Sequence, residues 1–200
     1  AWQWTWFVPH DVDGLVELMG GRDAFIGKLD SLFTADSKLE GESTSVDISG
    51  LIGQYAHGNE PSHHIAHLYN YVGQPWRTQE IVDEVLHTLY FNNPDGLSGN
   101  EDCGQMSAWY ILNAMGFYQV CPGKPVYSIG RPLFNEATVH LKDGKSFKVI
   151  AHNNSRDNKY VRSIVLNGNK LETPFFTHQD IVDGGTLELT MGAEPLMPDN

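Results

Sequence analysis

The sequence predicts an α+β fold in which helices come first and an antiparallel β unit follows. Apolar residues recur at helical spacing between residues 9 and 116, whereas they alternate with polar residues after Cys121-Pro122-Gly123. The chain has 200 residues, enough for one large domain or two small ones. We therefore expect a helical part over residues 1–121 and a β region over residues 122–200.

Five amphipathic segments make up the predicted helical part. Pro61 and Pro75 fit first-turn positions, and Gly20, Gly73 and Gly116 follow the ends of helices. Five or so paired helices are half of what an α/α toroid needs to close, so we expect the helical half of such a toroid. The apolar positions are Val12, Leu15, Val16 and Met19; Phe25, Ile26, Leu29 and Leu32; Ile65, Leu68, Tyr69 and Val72; Ile81, Val82, Val85, Leu86 and Leu89; Met106, Trp109, Leu112 and Met115. A long polar loop is predicted between residues 36 and 59.

Turn signals divide the second part into strands. Residues 133–141 and 146–151 flank Asp143-Gly144, and residues 160–166 run into Asn167-Gly168. Both dipeptides favour two-residue hairpin turns. Residues 186–191 alternate likewise, so we expect about five or six antiparallel strands.

Charge and composition exclude several classes of protein. The formal net charge is −12, and a phosphate backbone would be repelled, so no nucleic-acid partner is expected. No apolar run reaches the roughly 18 to 20 residues that span a bilayer. Two cysteines are too few for a disulfide scaffold or a Cys-rich zinc site. The acids concentrate in residues 1–100, which suits a hard cation or a neutral polyol. The Trp-rich start carries no signal-peptide pattern, and we expect a piece of a longer protein.

The first polar cluster, residues 54–64, contains a carboxylate next to a helix-starting proline. Pro61 keeps Glu60 out of helical geometry, so the Glu60 carboxylate should lie beside Asn59 at a helix N-terminus. Gly58 permits a close approach of another segment. The alternative is that Glu60 and Asn59 only cap the helix.

Three histidines follow this cluster. His63 and His67 are four residues apart, on one face of a helix, which allows a zinc site. The partner glutamate and the third ligand of a zinc hydrolase pattern are missing. A hydrogen-bonded helix surface is therefore favoured over zinc.

The second polar cluster, residues 93–109, places two adjacent acids ahead of a helix. Asp102 and Gln105 match a capping box, so structure alone could account for both. Glu101 and Asp102 side by side nevertheless repel each other unless a cation, a proton or a reacting water lies between them. Glycosidases use paired carboxylates, one to protonate the leaving oxygen and one to activate water. Tryptophans could stack on sugar rings, although Trp109 and other helical tryptophans are more often core residues.

Five runs of the sequence closely resemble the C-terminal part of glycoside hydrolase family 92: AWQWTWFVPHD, GLIGQYAHGNEPSHHIAHLYNYVGQPW, GLSGNEDCGQMSAWYILNAMGFY, YSIGRPLF and HNNSRDNKYVRSIVLNG. The family consists of exo-acting α-mannosidases, many of which cleave α-1,2 linkages. The resemblance implies a Ca²⁺-dependent hydrolase that inverts the anomeric carbon. It also implies an N-terminal β-sandwich domain and the rest of the (α/α)6 barrel in the parent chain, with the active site between the two domains.

The resemblance implies catalytic roles for residues of both clusters. Asp102 would be the general base, aided by Glu101 or Asn100, and Glu60 would belong to the same site. The general acid would lie just before Ala1, in a Glu-Gly-Asn segment that is absent here. The 200-residue piece alone is then expected to be inactive.

The resemblance also implies binding roles. Glu60 and Asn59 would contact Ca²⁺, and His57 and Asn59 would contact sugar, with Asn100 beside them. Trp2 and Trp6 would be sugar platforms. The expected partner is a mannose-containing oligosaccharide such as mannan or an N-glycan, and the expected location is periplasmic or extracellular in a bacterium.

Two other classes of function stay open. One is a non-catalytic carbohydrate-binding module with tryptophan platforms and a calcium site. The other is a zinc hydrolase built on His63 and His67.

Overall fold

A computed structural model describes residues 2–39 and 48–197 of the chain. The central part of the predicted polar loop, residues 40–47, lies outside the described residues. The order of elements is helices first and strands second, as the sequence predicts.

Among the described residues, the helical region contains five α-helices: α1 (Val12–Leu18), α2 (Arg22–Thr34), α3 (Leu68–Tyr71), α4 (Pro75–Thr88) and α5 (Gln105–Met115). Their positions follow the predicted apolar segments, and Pro75 lies in the first turn of α4. A small hairpin, β1 (Leu51–Ile52) and β2 (Tyr55–Ala56), separates α2 from α3.

The segment before α3 differs from the predicted helix. The chain makes two 3-10 turns, Glu60–Ser62 and Ile65–His67, before the single turn of α3 begins. Backbone bonds such as His63 N–H to the Glu60 carbonyl span three residues rather than four. A 3-10 turn is tighter than an α-helix and turns its side chains to different directions.

The β region contains eight strands and one short helix: β3 (Phe117–Tyr118), β4 (Val126–Ile129), β5 (Glu136–His140), β6 (Ser146–His152), β7 (Tyr160–Leu166), β8 (Asn169–Lys170), β9 (Phe175–Thr177), α6 (His178–Asp183) and β10 (Gly185–Gly192). β3 and β4 pair with β9 in a three-stranded sheet, so strand structure already begins at Phe117. The other sheet has the order β5-β6-β10-β7-β8.

The prediction of a purely antiparallel unit is wrong for one strand pair. β10 inserts between β6 and β7 and runs parallel to β6, with Leu187 opposite Val149. The two predicted hairpins are confirmed: β5 and β6 flank Asp143, and β7 and β8 flank Asn167. Turn signals could not predict the parallel pair, because it joins strands that are far apart in sequence and share no turn.

Helix α4 joins the two regions through polar contacts. The Val161 N–H donates to Gln79 Oε1 at 3.1 Å, and the Tyr160 hydroxyl donates to Glu80 Oε1 at 2.7 Å. Arg131, which is buried, pairs with Asp83 at 2.8 Å. No helix among the described residues has both the length and the apolar composition that a membrane crossing requires.

Candidate active site

The first acidic junction lies directly after the β1–β2 hairpin. Asn59 is in extended conformation and its side chain makes no capping hydrogen bond, so the capping interpretation is wrong for Asn59. Glu60 opens the 3-10 turn that ends before His63. A Cβ atom on Gly58 would lie 2.3 Å from the Ser98 carbonyl oxygen, so only glycine lets the two acidic loops approach this closely.

The second acidic junction is a left-handed stretch before α5. Asp102, Cys103 and Gly104 all have positive φ angles, of 52°, 56° and 91°. This conformation is rare for residues other than glycine, and it clusters at functional sites. Gly104 is the N-terminal cap residue of α5 and Gln105 is the first helical residue.

The predicted capping box between Asp102 and Gln105 is wrong. Glu101 takes that role instead: its carboxylate accepts from the Ser107 N–H at 2.9 Å and from the Ser107 hydroxyl at 2.8 Å. These bonds hold the pKa of Glu101 below its usual value. The Asp102 side chain is exposed and remains free for another contact.

That contact is with Glu60, so the structure brings the two acidic junctions together. A hydrogen bond to Glu60 raises the pKa of Asp102 above its ordinary value, and the negative charges of Glu60 and Glu101 act in the same direction. A nearby negative charge opposes ionisation of a carboxyl group, which is why the pKa of Asp102 is raised. Glu101 and Asp102 are neighbours in sequence, yet their surroundings shift their pKa values in opposite directions.

The prediction that His57 contacts sugar is wrong. His57 is buried, and its two ring nitrogens already have partners: the Tyr55 hydroxyl at 2.8 Å and the Tyr90 hydroxyl at 2.7 Å. Its ring packs against Trp109, with centroids 4.3 Å apart. Burial lowers the pKa of His57 well below its ordinary value, so the ring is neutral and supports the core of the site.

The zinc interpretation of His63 and His67 is also wrong. His67 contacts Ser128 at 3.0 Å through Nδ1 and Asn113 at 2.8 Å through Nε2. His63 contacts the His57 carbonyl at 2.9 Å and Gln105 at 3.1 Å. All four ring nitrogens are occupied by protein groups, so none can coordinate a metal ion.

The tryptophans at the start of the chain divide into buried and exposed residues. Trp6 is fully buried and packs edge-to-face on Phe25 at 5.3 Å, so the prediction of a sugar platform at Trp6 is wrong. Trp2 is half-buried, and the Lys28 ammonium lies 4.4 Å from its ring centroid. Trp4, one of the tryptophans that could stack on a sugar, is 63% exposed and contacts Phe7 edge-on.

An open cleft of about 590 Å³ adjoins the second acidic junction. The segment after α4 forms one wall, with Tyr90 and Phe91, and α5 forms the other, with Tyr110. Glu101 also lines this cleft, whereas Asn100 is exposed in the loop before it. The cleft was not predicted, because it forms only when the loop after α4 folds against α5.

The oxygen atoms at the junctions fit a hard cation in kind. Ca²⁺ prefers six to eight oxygen ligands from carboxylates, amides, carbonyls and water. Glu60 and Asn59 could supply part of such a set. In residues 2–39 and 48–197, no three His, Cys, Asp or Glu side chains cluster so that they could hold a metal ion. Carbonyl oxygens, water or sugar hydroxyls would therefore have to complete the shell.

Acidic side chains on two loops that meet beside a cleft with aromatic walls are of the kind that carboxylate-based glycoside hydrolases use. The chain belongs to glycosyl hydrolase family 92: the model of the family's catalytic domain matches residues 1–193. The resemblance in sequence is thereby confirmed at the level of the family.

Solved structures and a curated relative agree with this membership. The family GH92 α-mannosidase BT3965 from Bacteroides thetaiotaomicron, in complex with mannoimidazole, is 43% identical with a TM-score of 0.91, over 98% of this chain and 25% of that chain. The family GH92 inverting mannosidase BT2199 from the same organism is 45% identical with a TM-score of 0.83, over 97% of this chain and 27% of that chain. An uncharacterized secreted glycosidase of Arthroderma benhamiae is 32% identical over 96% of this chain and 23% of its own length. The chain thus spans about a quarter of the length of these relatives.

Proposed function

We propose that this chain forms the water-activating side of the active site of an exo-acting, inverting α-mannosidase that prefers α-1,2-linked mannose. The close approach of the two acidic junctions carries the proposal: Gly58 lies against the Ser98 carbonyl, and Gln105 Nε2 lies 3.1 Å from His63 Nδ1. Asp102 acts as the general base that takes the proton of the attacking water, and Glu60 orients that water or the sugar. The mannosidase names of the relatives support mannose as the sugar.

The closeness of Glu60 and Asp102 also bears on which residue is the general acid. In inverting glycosidases the acid and the base are ~6.5 to 9.5 Å apart, because a water molecule lies between the base and the anomeric carbon. Glu60 and Asp102 touch, so they are not the two ends of such a pair. Glu101 is engaged by Ser107 and has a lowered pKa, which suits neither proton donation nor the opposite side of the ring. We therefore place the general acid outside the described residues.

Substitution of the base tests the reaction. In the full-length parent protein, Asp102→Asn should lower kcat about 10²- to 10⁴-fold, because general base catalysis contributes that much. Sugar binding, measured by calorimetry, should persist. The matched control is Glu101→Gln, which changes the adjacent carboxylate and should affect thermal stability more than kcat. Equal turnover of Asp102→Asn and the unsubstituted enzyme would overturn the assignment. The first mannose released should be the β-anomer by proton NMR; release of the α-anomer would contradict inversion.

Calcium is part of the proposal. When bound, Ca²⁺ would polarise and hold sugar hydroxyls, with Glu60 and Asn59 among its ligands. Treatment with EDTA should abolish turnover, and Ca²⁺ but not Zn²⁺ should restore it. Restoration by Zn²⁺ alone, or full activity in EDTA, would contradict this part of the proposal.

The remaining expectations follow from the incomplete length. Without the rest of the barrel and the β-sandwich domain, the 200-residue chain should not turn over mannosides by itself. The secreted relative supports an extracellular or periplasmic location for the parent protein. A non-catalytic binding module is not favoured, because the matching family model is that of a catalytic domain.

A further inference from the structure

We infer that Gln105 is a positioning residue, which acts through His63 to hold Asp102 in contact with Glu60. This inference rests on the proposed function, because it explains how the two acidic junctions keep one geometry. The hydrogen bonds between the junctions carry it.

The link between the junctions is short and runs from backbone turn to backbone turn. Gln105 follows Asp102 by three residues, and its N–H donates to the Asp102 carbonyl at 3.2 Å. The His63 N–H donates to the Glu60 carbonyl at 3.0 Å. Gln105 Nε2 lies 3.1 Å from His63 Nδ1, so one side-chain bond connects the turn of Asp102 to the turn of Glu60.

The direction of this bond is fixed by its neighbours. His63 Nε2 lies 2.9 Å from the His57 carbonyl oxygen, which only accepts, so Nε2 carries the proton. With the proton on Nε2, Nδ1 is left to accept from the Gln105 amide group. Gln105 donates to it and also contacts the Tyr118 hydroxyl at 3.3 Å. The amide NH₂ group of Gln105 therefore serves both His63 Nδ1 and the Tyr118 hydroxyl, and these hydrogen bonds fix its orientation.

A second buried chain runs beside the first. Tyr90 donates to the Met106 carbonyl at 3.1 Å, so its oxygen accepts from His57 Nε2, 2.7 Å away. His57 Nδ1 then accepts from the Tyr55 hydroxyl at 2.8 Å. This chain ties β2 to the first turn of α5. Together the two chains prevent the helix from sliding against the turn that bears Glu60.

The choice of residues argues for positioning rather than for stability alone. His57 and His63 are almost completely buried, and burying polar groups costs free energy that apolar side chains would not. Such networks rigidify a site when every member is satisfied. Displacement of a reacting group by about 1 Å can cost on the order of 100-fold in rate, so rigidity here has a direct catalytic effect.

The test is made in the full-length parent protein, with kcat, KM and thermal midpoint measured for each variant. Gln105→Leu keeps the size of the side chain and removes both of its hydrogen bonds. We expect kcat to fall about 10- to 100-fold with KM within about twofold. The matched control is Thr78→Val, which removes a buried bond to the Ala66 carbonyl in α4. Thr78→Val should lower the thermal midpoint by about as much as Gln105→Leu does and leave kcat within about twofold.

A pair of substitutions at His63 separates the link from the fold. An asparagine places its oxygen near the position of Nδ1, so His63→Asn can still accept from Gln105. A glutamine reaches the position of Nε2, so His63→Gln keeps the bond to the His57 carbonyl and loses the link. We expect His63→Asn to retain at least about fivefold more kcat than His63→Gln.

The outcomes decide between the alternatives. Higher kcat for His63→Gln than for His63→Asn, or unchanged kcat in Gln105→Leu, overturns the inference. If the His63 variants do not fold, the comparison of Gln105→Leu with Thr78→Val decides it. If the unsubstituted protein hydrolyses no α-mannoside, the proposed function fails. The inference about geometry is then decided by whether a crystal structure of Gln105→Leu keeps Glu60 and Asp102 in contact.

Discussion

The helical region and the β region solve the problem of a core in different ways. In the part of the chain that the structure describes, the β region buries mainly apolar residues, and its buried polar side chains are Ser128 and Arg131. The apolar set is Phe117, Ile129, Phe147, Val149, Ala151, Val161, Leu166, Phe176, Ile181, Leu187, Leu189 and Met191. The helical region buries apolar residues too, but among them are polar side chains with partners far away in sequence: His57, His63, His64, His67, Asn70, Thr78, Gln79 and Asn113.

The acidic junctions belong to the region whose core contains buried hydrogen bonds, and the physics of such bonds explains why. Apolar packing is non-directional and is satisfied by many arrangements of similar volume. Buried hydrogen bonds are directional, and each unsatisfied group is costly, so they select one arrangement. The two acidic junctions lie in the helical region, whose core contains directional hydrogen bonds. The β region contacts this region through α4.

The largest effect on stability is expected in the β region. Leu189 is fully buried in β10, the central strand of the larger sheet. Leu189→Ala should lower the free energy of unfolding by about 2 to 5 kcal/mol, because it removes apolar contacts and leaves a cavity. Turnover per folded molecule should not change. Denaturant unfolding gives the first quantity and active-enzyme kinetics the second.

The control lies on the same strand. Glu188 faces the opposite side of the sheet, where it pairs with the half-exposed His152 at 2.8 Å. Glu188→Gln should change the free energy of unfolding by less than about 1 kcal/mol, because exposed pairs contribute little. A larger loss for Glu188→Gln than for Leu189→Ala would show that the β region does not depend on its apolar core.

A smaller effect is expected from pH, and only in the helical region. Burial lowers the pKa of His63 and of His67 to about 4, below the ordinary 6.5. The unfolded chain therefore takes up protons below about pH 6.5 that the folded chain does not take up until about pH 4. Stability is complete above pH 6.5 and falls across this window. From pH 7 to pH 5 each of the two histidines should remove about 2 kcal/mol.

Hydrogen exchange resolved by segment measures this effect. Amides of α5 should lose protection between pH 7 and pH 5, after correction for intrinsic exchange, more than amides of β6 and β10. The histidines of the β region, His140, His152 and His178, are exposed and do not belong to its core. Equal loss of protection in both regions would mean that the buried histidines do not distinguish the two cores.

The smallest effect concerns a local signal. Helix α6 starts with a complete capping box: Thr177 Oγ1 accepts from the Asp180 N–H, and the Asp180 carboxylate accepts from the Thr177 N–H at 2.7 Å. Thr177→Ala should lower the free energy of unfolding by about 1 kcal/mol. Thr177→Ser is the control and should restore most of it. An unchanged free energy in Thr177→Ala would show that the packing of Ile181 alone holds α6 in place.

Local patterns predicted much of the fold. Asn167 adopts the positive φ angle that a two-residue hairpin turn needs, and Asp143 adopts one within the longer connection from β5 to β6. The flanking strands pair as expected. The apolar spacing of α4 and α5 placed both helices to within a few residues. The parallel pairing of β6 with β10 was missed, because nothing in either strand specifies a partner over 30 residues away.

The site divides in the same way. The sequence marked Glu60, Glu101 and Asp102 as chemically unusual, and their catalytic roles stay predictions. The sequence did not show that Glu101 caps α5 while Asp102 faces Glu60. The two acids are adjacent, and the backbone conformation of the loop decides which partner each side chain faces. Nor could it separate the buried His57 and Trp6 from residues that contact a ligand.

Sequence patterns were enough to predict the order of helices and strands, the turns, the family and the residues with reactive chemistry. These features depend on residues that are neighbours along the chain. Tertiary structure alone decided that Glu60 meets Asp102, that the histidines are neutral core groups, and that β10 runs beside β6. Those outcomes depend on distances between residues remote in sequence, and burial changes both the charge and the partners of every group that it encloses.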